Sequence, residues 1–263
     1  MTANAEGPLV PRIASAWMRI VERDVYLNDF CLFRDAEGLW HCLGIQGNRW
    51  RDETSFFHSV GPRLDGRFED RPALLPAHSR WVGPRRSDNE SPQKHAPFVV
   101  PHGGVYHMFY RRPPGTIVVA RTQDPFAWPD EVELAFESGD ARDACIVRRG
   151  SQFAMYYVEA APPRGGAEPV SCVLVRTSND LRRWGAPKVA FHDAAPAGHS
   201  RLESPFVVDR PEGSYLFVRP RSEADRCQTC VVFSTDPMRF PCPQAAGGPP
   251  PGGWRAELDG IHA

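Results

Sequence analysis

The stretch Arg201-Leu-Glu-Ser-Pro-Phe-Val-Val208, followed by Tyr215-Leu-Phe-Val218, decides the fold because the same figure occurs four times along the chain. In each copy an apolar run is followed about ten residues later by a second apolar run that opens on an aromatic residue. The other three copies begin at Asn28-Asp-Phe-Cys-Leu-Phe33, His95-Ala-Pro-Phe-Val-Val100 and Arg142-Asp-Ala-Cys-Ile-Val147. In three of the four copies an acidic side chain lies at the start of the first run. A repeat this regular indicates a protein built from similar structural units.

The register of the repeat is set by Asp29, Ala96, Asp143 and Ser204, which lie 67, 47 and 61 residues apart. The apolar runs are short, rich in Val, Phe and Tyr, and bounded by Gly, Pro, Asp and Asn, which is typical of β-strands joined by tight turns. Repeats of this length that hold about four strands are typical of the blades of a β-propeller. We therefore predict an all-β protein of the five-bladed β-propeller type.

The repeat also predicts the domain organisation. Residues 1–23 form an N-terminal arm, and residues 24–263 form a single propeller domain. Its four complete blades cover residues 24–75, 94–138, 141–192 and 201–256, and the start of a fifth blade at 258–263 leaves that blade incomplete. An open blade edge presents unpaired backbone groups to other chains, so we expect a homodimer to form through it.

Composition and charge exclude several classes of function. A hydrophobic content of 41% in 263 residues excludes disorder, and a net charge of −1 disfavours a nucleic-acid partner. No secretory signal is evident, and no apolar run approaches the roughly 18 residues that span a bilayer, so we expect a cytoplasmic protein without a membrane partner. Of seven cysteines, Cys227 and Cys230 form one C-x-x-C pair without a second pair. We therefore expect reduced structural thiols, no metal site and no cofactor.

The acidic residues of the repeat point to a shared pocket. In a propeller the first strand of each blade lines the central channel, and equivalent positions converge at one mouth of it. Asp29 and Asp143 occupy the same register, and Glu203 lies one position earlier. Neighbouring carboxylates push their pKa values apart, so one remains protonated while another stays ionised. Cleavage of a glycosidic bond requires such a pair.

The arrangement resembles the five-bladed β-propeller glycoside hydrolases, which include families 32, 43, 62 and 68. In those families an Asp in an N-D-P or D-P context lies on the first blade. An Asp in an R-D-P context lies on the third blade, and a Glu in E-x-P or E-C lies on the fourth. The matching segments here are Asn28-Asp29-Phe30, Arg142-Asp143-Ala144 and Glu203-Ser204-Pro205, in the same order, but proline is missing after both aspartates.

The resemblance implies roles for these residues. Asp29 would be the base or nucleophile, Asp143 would orient the substrate and tune the acid, and Glu203 would be the general acid. Further substrate-binding candidates comprise polar residues beside the acids or at blade starts and aromatic residues suited to stacking on a sugar. They are Asn28, His95, Arg142, His262, Trp50 and Phe57.

Each candidate also has a simpler structural interpretation. An aspartate at the start of a strand often accepts a hydrogen bond from a turn amide, which would account for Asp29 and Asp143. Glu203 would form a surface ion pair with Arg201. His95 and His262 would be satisfied histidines near the channel.

We predict a glycoside hydrolase that cleaves or transfers a glycosidic bond of a small carbohydrate substrate, with a furanoside such as an arabinosyl or fructosyl unit favoured by the resemblance. Two alternatives remain on the same scaffold. One is a catalytically inactive carbohydrate-binding propeller, which the missing prolines favour. The other is a lyase or cyclase that acts on a small metabolite and uses the acids for proton transfer.

Overall fold

The structure is a computed structural model that describes residues 18–48, 53–75, 80–81, 93–112, 115–129, 131–161, 170–192, 202–220, 229–241 and 253–254. Within these ranges every regular element is a β-strand, so the predicted all-β class is confirmed. The same ranges contain no helix long and apolar enough to cross a membrane. The predicted start of a fifth blade, residues 258–263, lies outside them, as does most of the predicted N-terminal arm.

The strands form four sheets that follow the four repeats in order. The first sheet has the order β1-β2-β3-β4, with strands β1 (Tyr26–Arg34), β2 (Trp40–Gly47), β3 (Ser55–Gly61) and β4 (Glu69–Leu74). The second has the order β5-β9-β8-β7-β6, with strands β5 (Arg80–Trp81), β6 (His95–His102), β7 (Val105–Arg112), β8 (Thr116–Thr122) and β9 (Glu131–Leu134). Consecutive strands pair antiparallel, except that β5 pairs parallel with β9 at the far edge.

The third sheet contains β10 (Arg142–Arg149), β11 (Gln152–Ala161), β12 (Val170–Ser178) and β13 (Lys188–His192). The fourth contains β14 (Leu202–Arg210), β15 (Gly213–Pro220), β16 (Cys230–Ser234) and β17 (Gly253–Trp254). Four strands of each sheet form an up-and-down meander, which is the strand order of a propeller blade, and β5 is added at the edge of the second sheet. The prediction of four complete propeller blades is therefore confirmed.

The chain divides into two compact units. The unit that we call amino-terminal contains Ala16–Ala144 and Asp180–Trp184, and thus the first two sheets. The carboxy-terminal unit contains Cys145–Asn179 and the segment from Gly185 onward, and thus most of the third sheet and the fourth sheet. The single domain predicted for residues 24–263 stays a prediction.

The core of the amino-terminal unit lies between its two sheets. The first sheet contributes Cys31, Phe33, Leu43, Ile45, Phe56, Leu74 and Leu75, and the second contributes Val99, Tyr106, Met108, Tyr110, Val118, Ala120 and Val132. The Phe56 and Tyr110 rings meet edge to face, with centroids 5.4 Å apart. Because the central strands are covered on both faces, their sequences are nearly continuous apolar runs rather than alternating ones.

In the carboxy-terminal unit a polar contact joins the third and fourth sheets. The Arg149 guanidinium donates two hydrogen bonds to Asp209, Nε to Oδ2 at 2.8 Å and Nη2 to Oδ1 at 2.7 Å. The same guanidinium bonds the Tyr156 hydroxyl, which in turn donates to the carbonyl of Pro237. Two hydrogen bonds to one carboxylate fix the orientation of the Arg149 guanidinium as well as its distance from Asp209.

Buried thiols join neighbouring first strands within each unit. In the carboxy-terminal unit the backbone amide of Val207 in β14 donates to Cys145 Sγ in β10 at 3.4 Å. In the amino-terminal unit the amide of Val99 in β6 makes the equivalent bond to Cys31 in β1. Burial raises the pKa of both thiols to about 12, so they remain protonated and unreactive at neutral pH.

The first strand of every sheet changes backbone conformation at the aligned register position. Asp29, Ala96, Asp143 and Ser204 have φ angles of 34°, 47°, 57° and 51°, in the left-handed region that residues other than glycine rarely adopt. In β1, β6 and β14 the pairing register shifts at this point, between Asn28 and Phe30, His95 and Phe98, and Glu203 and Phe206. Each of these three strands therefore carries a β-bulge, which redirects the adjacent side chains.

A buried chain of three titratable groups crosses the first sheet. His41 Nε2 lies 3.0 Å from Asp35 Oδ2, and His41 Nδ1 lies 2.9 Å from His58 Nε2. Both imidazoles are nearly fully buried, and the Phe126 ring packs against both of them. Burial, reinforced by the neighbouring His41, lowers the pKa of His58 to about 3. Burial also lowers the pKa of His41, although the Asp35 carboxylate opposes the change.

This buried row of Asp35, His41 and His58 predicts that the folded protein loses stability as the pH falls. A buried histidine with a depressed pKa stabilises the fold fully above its unfolded pKa, about 6.5, and that stability is lost as pH falls toward its folded pKa. For His58 the loss between pH 7.5 and pH 5 amounts to about 2 kcal/mol of unfolding free energy. We expect His58→Gln to flatten this pH dependence in urea unfolding curves by about that amount. The exposed His192, changed to Gln, serves as the control, and equal slopes for wild type and His58→Gln would contradict the prediction.

The left-handed bulges predict opposite effects of glycine at two alanines. At Ala96, glycine removes a backbone strain of about 1–2 kcal/mol. It also makes the unfolded chain more flexible, which costs about 0.4–1 kcal/mol, so the free energy of unfolding should rise by roughly 0.5 kcal/mol. At Ala154, which is buried in β11 and lacks a positive φ, glycine should cost about 1 kcal/mol. Urea unfolding of Ala96→Gly and Ala154→Gly measures both changes, and a loss of similar size in each variant would exclude strain at Ala96.

Candidate active site

The candidate site is centred on Asp29, whose left-handed backbone interrupts β1. Asp29 is half-buried, and Asn28 beside it is half-buried as well. The Asn28 side chain forms a hydrogen bond with the hydroxyl of Tyr26, two residues earlier on the same strand. Burial raises the pKa of Tyr26, and the negative charges of Glu53 and Asp29 raise it further, so the hydroxyl stays protonated at neutral pH.

A second carboxylate, Glu53, lies in the segment that leads into β3. Only 3% of its surface is exposed. Its backbone carbonyl accepts a hydrogen bond from the Lys94 amide at 2.8 Å, and its Oε2 accepts one from Gln93 Nε2 at 3.4 Å. The Lys94 ammonium donates to the carbonyl of Thr54 at 3.1 Å. These bonds attach the segment before β6 to the segment before β3, which brings the start of the second sheet to Glu53.

Lys94 is a buried cation beside this junction. It is 1% exposed, and burial together with the positive charge of Arg112 lowers its pKa to about 8. A lysine held in this way is less strongly charged at neutral pH than a surface lysine. The sequence repeat gives no signal for a role of Lys94.

His95 follows Lys94 and opens β6, where it is paired with Arg111 of β7. Burial lowers the pKa of His95, and the positive charge of Arg111 lowers it further, whereas the negative charge of Glu53 raises it. Arg111 also forms an ion pair with Asp140 at 3.4 Å. The negative charge of Glu53 thus raises the pKa of both Tyr26 and His95, and that of Asp29 raises the pKa of Tyr26.

The remaining predicted polar residues are distributed between the two units. Arg142 and Asp143 are half-buried at the start of β10 and belong to the amino-terminal unit. Glu203 is half-buried near the start of β14 and belongs to the carboxy-terminal unit. In the strand register it lies opposite Arg219 of β15. The catalytic roles of Asp29, Asp143 and Glu203 remain predictions.

The predicted aromatic contacts with a sugar are not supported for Phe57. It is 3% exposed, and it packs in a cluster with Cys42 and Phe68 while the Arg23 guanidinium lies 5.5 Å from its ring centroid. No ring face is left for a ligand, so Phe57 has a packing role. The other side chains in this group, Trp50 and His262, lie outside the described residues.

Phe30, which follows Asp29 in β1, is an exposed aromatic residue beside this acid. Its side chain is 53% exposed, although it lies on a strand whose other side chains are mostly covered. Gly44 lies behind it on β2, where a Cβ atom would come within 2.9 Å of the Phe30 Cβ. A flat apolar ring beside a candidate acid can pack against the apolar face of a sugar.

Sequence reasoning missed Tyr26, Glu53, Arg111 and Phe30. The positions of Glu53 and Arg111 relative to Asp29 depend on contacts between separate strands and connecting segments, which a repeat pattern does not encode. The one available signal was a glutamate directly before the third apolar run of the first repeat. Among the described residues, no group of three or more His, Cys, Asp or Glu is arranged to hold a metal ion.

No protein-family model matches this chain, and no curated protein matches it either. Solved structures do match. A thermostable family-43 glycoside hydrolase aligns with a TM-score of 0.65 and 16% identity, over 89% of this chain and 77% of that one. A family-43 β-xylosidase/α-arabinofuranosidase from a compost microbial metagenome, in complex with xylotriose, aligns with a TM-score of 0.63 and 14% identity, over 88% and 81%.

A family-32 β-fructofuranosidase from Bombyx mori aligns with a TM-score of 0.58 and 16% identity, over 81% of this chain and 48% of that one. At such identities the likeness concerns the backbone fold rather than the chemistry of the site. The resemblance inferred from the repeat is thus confirmed for the fold: this chain has the β-propeller fold of the family-43 and family-32 glycoside hydrolases.

Proposed function

We propose that this protein is a glycoside hydrolase that acts on a small carbohydrate. The observation that carries the proposal is the left-handed backbone at Asp29 and Asp143, in equivalent positions of two first strands. Strained backbone of this kind persists only where the surrounding structure enforces it, and it is concentrated at functional sites. An aspartate tolerates the conformation better than most residues, so the two acids are matched to their positions.

The shared fold supports the same proposal. The similar structures include enzymes described as a glycoside hydrolase, a β-xylosidase/α-arabinofuranosidase and a β-fructofuranosidase. One fold serves many activities, so the fold alone does not assign a reaction. Together with acids at the predicted register, however, it favours cleavage of a glycosidic bond over the lyase or cyclase alternative.

In the proposed reaction Glu203 donates a proton to the glycosidic oxygen as the bond to the anomeric carbon breaks. Asp29 acts on the opposite side of the sugar, either by attacking the anomeric carbon or by taking a proton from the attacking water. Asp143 orients the substrate and supports the protonated state of the general acid. Asn28, His95 and Arg142 would bind the sugar hydroxyls, and the exposed ring of Phe30 would pack against the sugar face.

We propose a furanoside as the substrate class, with an arabinosyl or fructosyl unit in the cleaved position. Two of the similar structures are of a β-xylosidase/α-arabinofuranosidase and a β-fructofuranosidase, which supports this choice. We further propose that the protein acts in the cytoplasm and that an open sheet edge allows it to form a homodimer. Analytical ultracentrifugation tests the second point.

Substitution of the three acids tests the proposal. Asp29→Asn and Glu203→Gln should each lower kcat on a nitrophenyl arabinofuranoside by roughly 10²–10⁴-fold, because each removes a group that moves a proton or bonds carbon in the transition state. Asp143→Asn should also lower kcat. The rates are measured from the absorbance of the released nitrophenolate at about 400 nm. The expected losses of kcat are those typical of removing a general acid or base. Asp65→Asn, at an exposed ion pair with Arg63, is the control.

A change of leaving group separates the roles of the acids. A dinitrophenolate leaves without a proton, so Glu203→Gln should recover most of its activity on a dinitrophenyl substrate, while Asp29→Asn should remain impaired. Turnover that survives both substitutions on both substrates would refute the assignment. Saturable binding of arabinose or xylotriose without turnover of any aryl glycoside would instead indicate the carbohydrate-binding alternative.

A further inference from the structure

The segment that precedes β10 is attached to the hairpin between β7 and β8, and it runs directly into Arg142 and Asp143. Ala141 in this segment is fully buried. Its amide donates to the Gly115 carbonyl at 3.0 Å and to Ser138 Oγ, also at 3.0 Å. The Ser138 hydroxyl in turn donates to the same Gly115 carbonyl at 3.2 Å. One residue of the hairpin therefore holds the backbone directly before two candidate site residues.

This attachment brings two backbones unusually close. A Cβ atom at Gly115 would lie 2.7 Å from the Asp140 Cα and 3.1 Å from the Gly139 carbonyl oxygen. Because both neighbours are backbone atoms, they cannot turn aside as the end of a flexible side chain can. Glycine at position 115 therefore permits the short hydrogen bonds between the hairpin and the segment.

An ion pair makes a second contact between the same elements. Arg111 Nη2 in β7 lies 3.4 Å from Asp140 Oδ1, and the two side chains are 22% and 55% exposed. A pair this open to solvent contributes little to the stability of the fold. The register of β6 and β7 places Arg111 opposite His95. The pair therefore connects the strand pair that holds His95 to the segment that leads to Arg142.

We propose that Ser138 and Asp140 are positioning residues, which fasten the segment before β10 to the β7–β8 hairpin and thereby hold Arg142 and Asp143 in place beside the start of β6. The proposal rests on the proposed glycosidase function for its effect on catalysis. Its physical content, the attachment of the segment, can be measured without any substrate. A substrate-orienting group that is misplaced by about 1 Å can lower the rate of an enzyme by about 10²-fold.

Hydrogen exchange of the Ala141 amide in the full chain measures the attachment. Ser138→Ala removes one of the two acceptors of this amide, so we expect its protection factor to fall about fivefold or more. Ser138→Thr keeps the hydroxyl and should retain the protection. The Ala135 amide, which donates to the Ile117 carbonyl at 3.0 Å, is the internal reference and should be unchanged.

Thr122 offers a matched control at the other end of β8. Its hydroxyl accepts a hydrogen bond from the Asp124 amide at 3.1 Å and donates to the Ala127 carbonyl at 2.7 Å, so it also ties a turn. Thr122→Val removes that hydroxyl and should change neither the Ala141 protection nor the enzyme activity.

A double-mutant cycle shows whether Ser138 acts through Asp143. Ser138→Ala should lower kcat/KM on the aryl arabinofuranoside about 10-fold, and Asp140→Asn about threefold, because both displace the same carboxylate. In an Asp143→Asn background neither change should lower kcat/KM further. The cycle uses the dinitrophenyl substrate, whose better leaving group keeps the rates of Asp143→Asn measurable.

Unchanged Ala141 protection in folded Ser138→Ala overturns the proposal, whatever the enzyme activity. If Ser138→Ala does not fold, Asp140→Asn takes its place with smaller losses expected, and the absence of any change in both measurements overturns the proposal.

The kinetic outcomes separate this proposal from the proposed function. Reduced protection with full kcat/KM, or with equal losses in both backgrounds, overturns the positioning role and leaves the glycosidase function standing. Reduced protection in a protein without any aryl-glycoside turnover overturns the glycosidase function and supports the attachment of the segment by Ser138.

Discussion

The rest of the site depends on one backbone constraint, the left-handed residue in the first strand of each sheet. A strand normally directs successive side chains to opposite faces, and a bulge with a left-handed residue breaks that alternation locally. Ala96 adopts the conformation although its side chain cannot form the local hydrogen bonds that help an aspartate to do so. The fold, rather than the preference of any single residue, therefore imposes the conformation, and Asp29 and Asp143 occupy positions that already exist in every repeat.

Packing within each unit holds these first strands in place. In the amino-terminal unit a continuous apolar core lies between the two sheets, and the Cys31 thiol accepts an amide hydrogen bond from β6. In the carboxy-terminal unit Cys145 accepts the equivalent bond from β14, and the two-point contact between Arg149 and Asp209 adds a directional constraint. Buried thiols are small enough to let two strands approach and polar enough to satisfy an amide, which accounts for the same residue type in both places.

Electrostatics around Asp29 then determine which groups can exchange protons. Burial keeps Tyr26 protonated and His95 largely neutral, and the charges of Glu53 and Arg111 act on His95 in opposite directions. In the low dielectric of a buried site such opposed charges have a larger effect than on the surface. The region beside Asp29 therefore combines hydrogen-bond donors, acceptors and an exposed aromatic ring, Phe30, which together suit a polyhydroxylated ligand.

The sequence by itself determined the class of strand-built repeats, the four sheets and the register of Asp29, Ala96, Asp143 and Ser204, because apolar periodicity and turn residues act over short distances. It could not determine the burial of Phe57, since β3 is covered on both faces and its pattern does not reveal which side a ring occupies. Nor could it bring Glu53 to Gln93 and Lys94, because hydrogen bonds between segments far apart in the chain create that neighbourhood. Only the tertiary structure decided which polar groups surround Asp29, since long-range packing and burial, not local preference, fix their distances and charges.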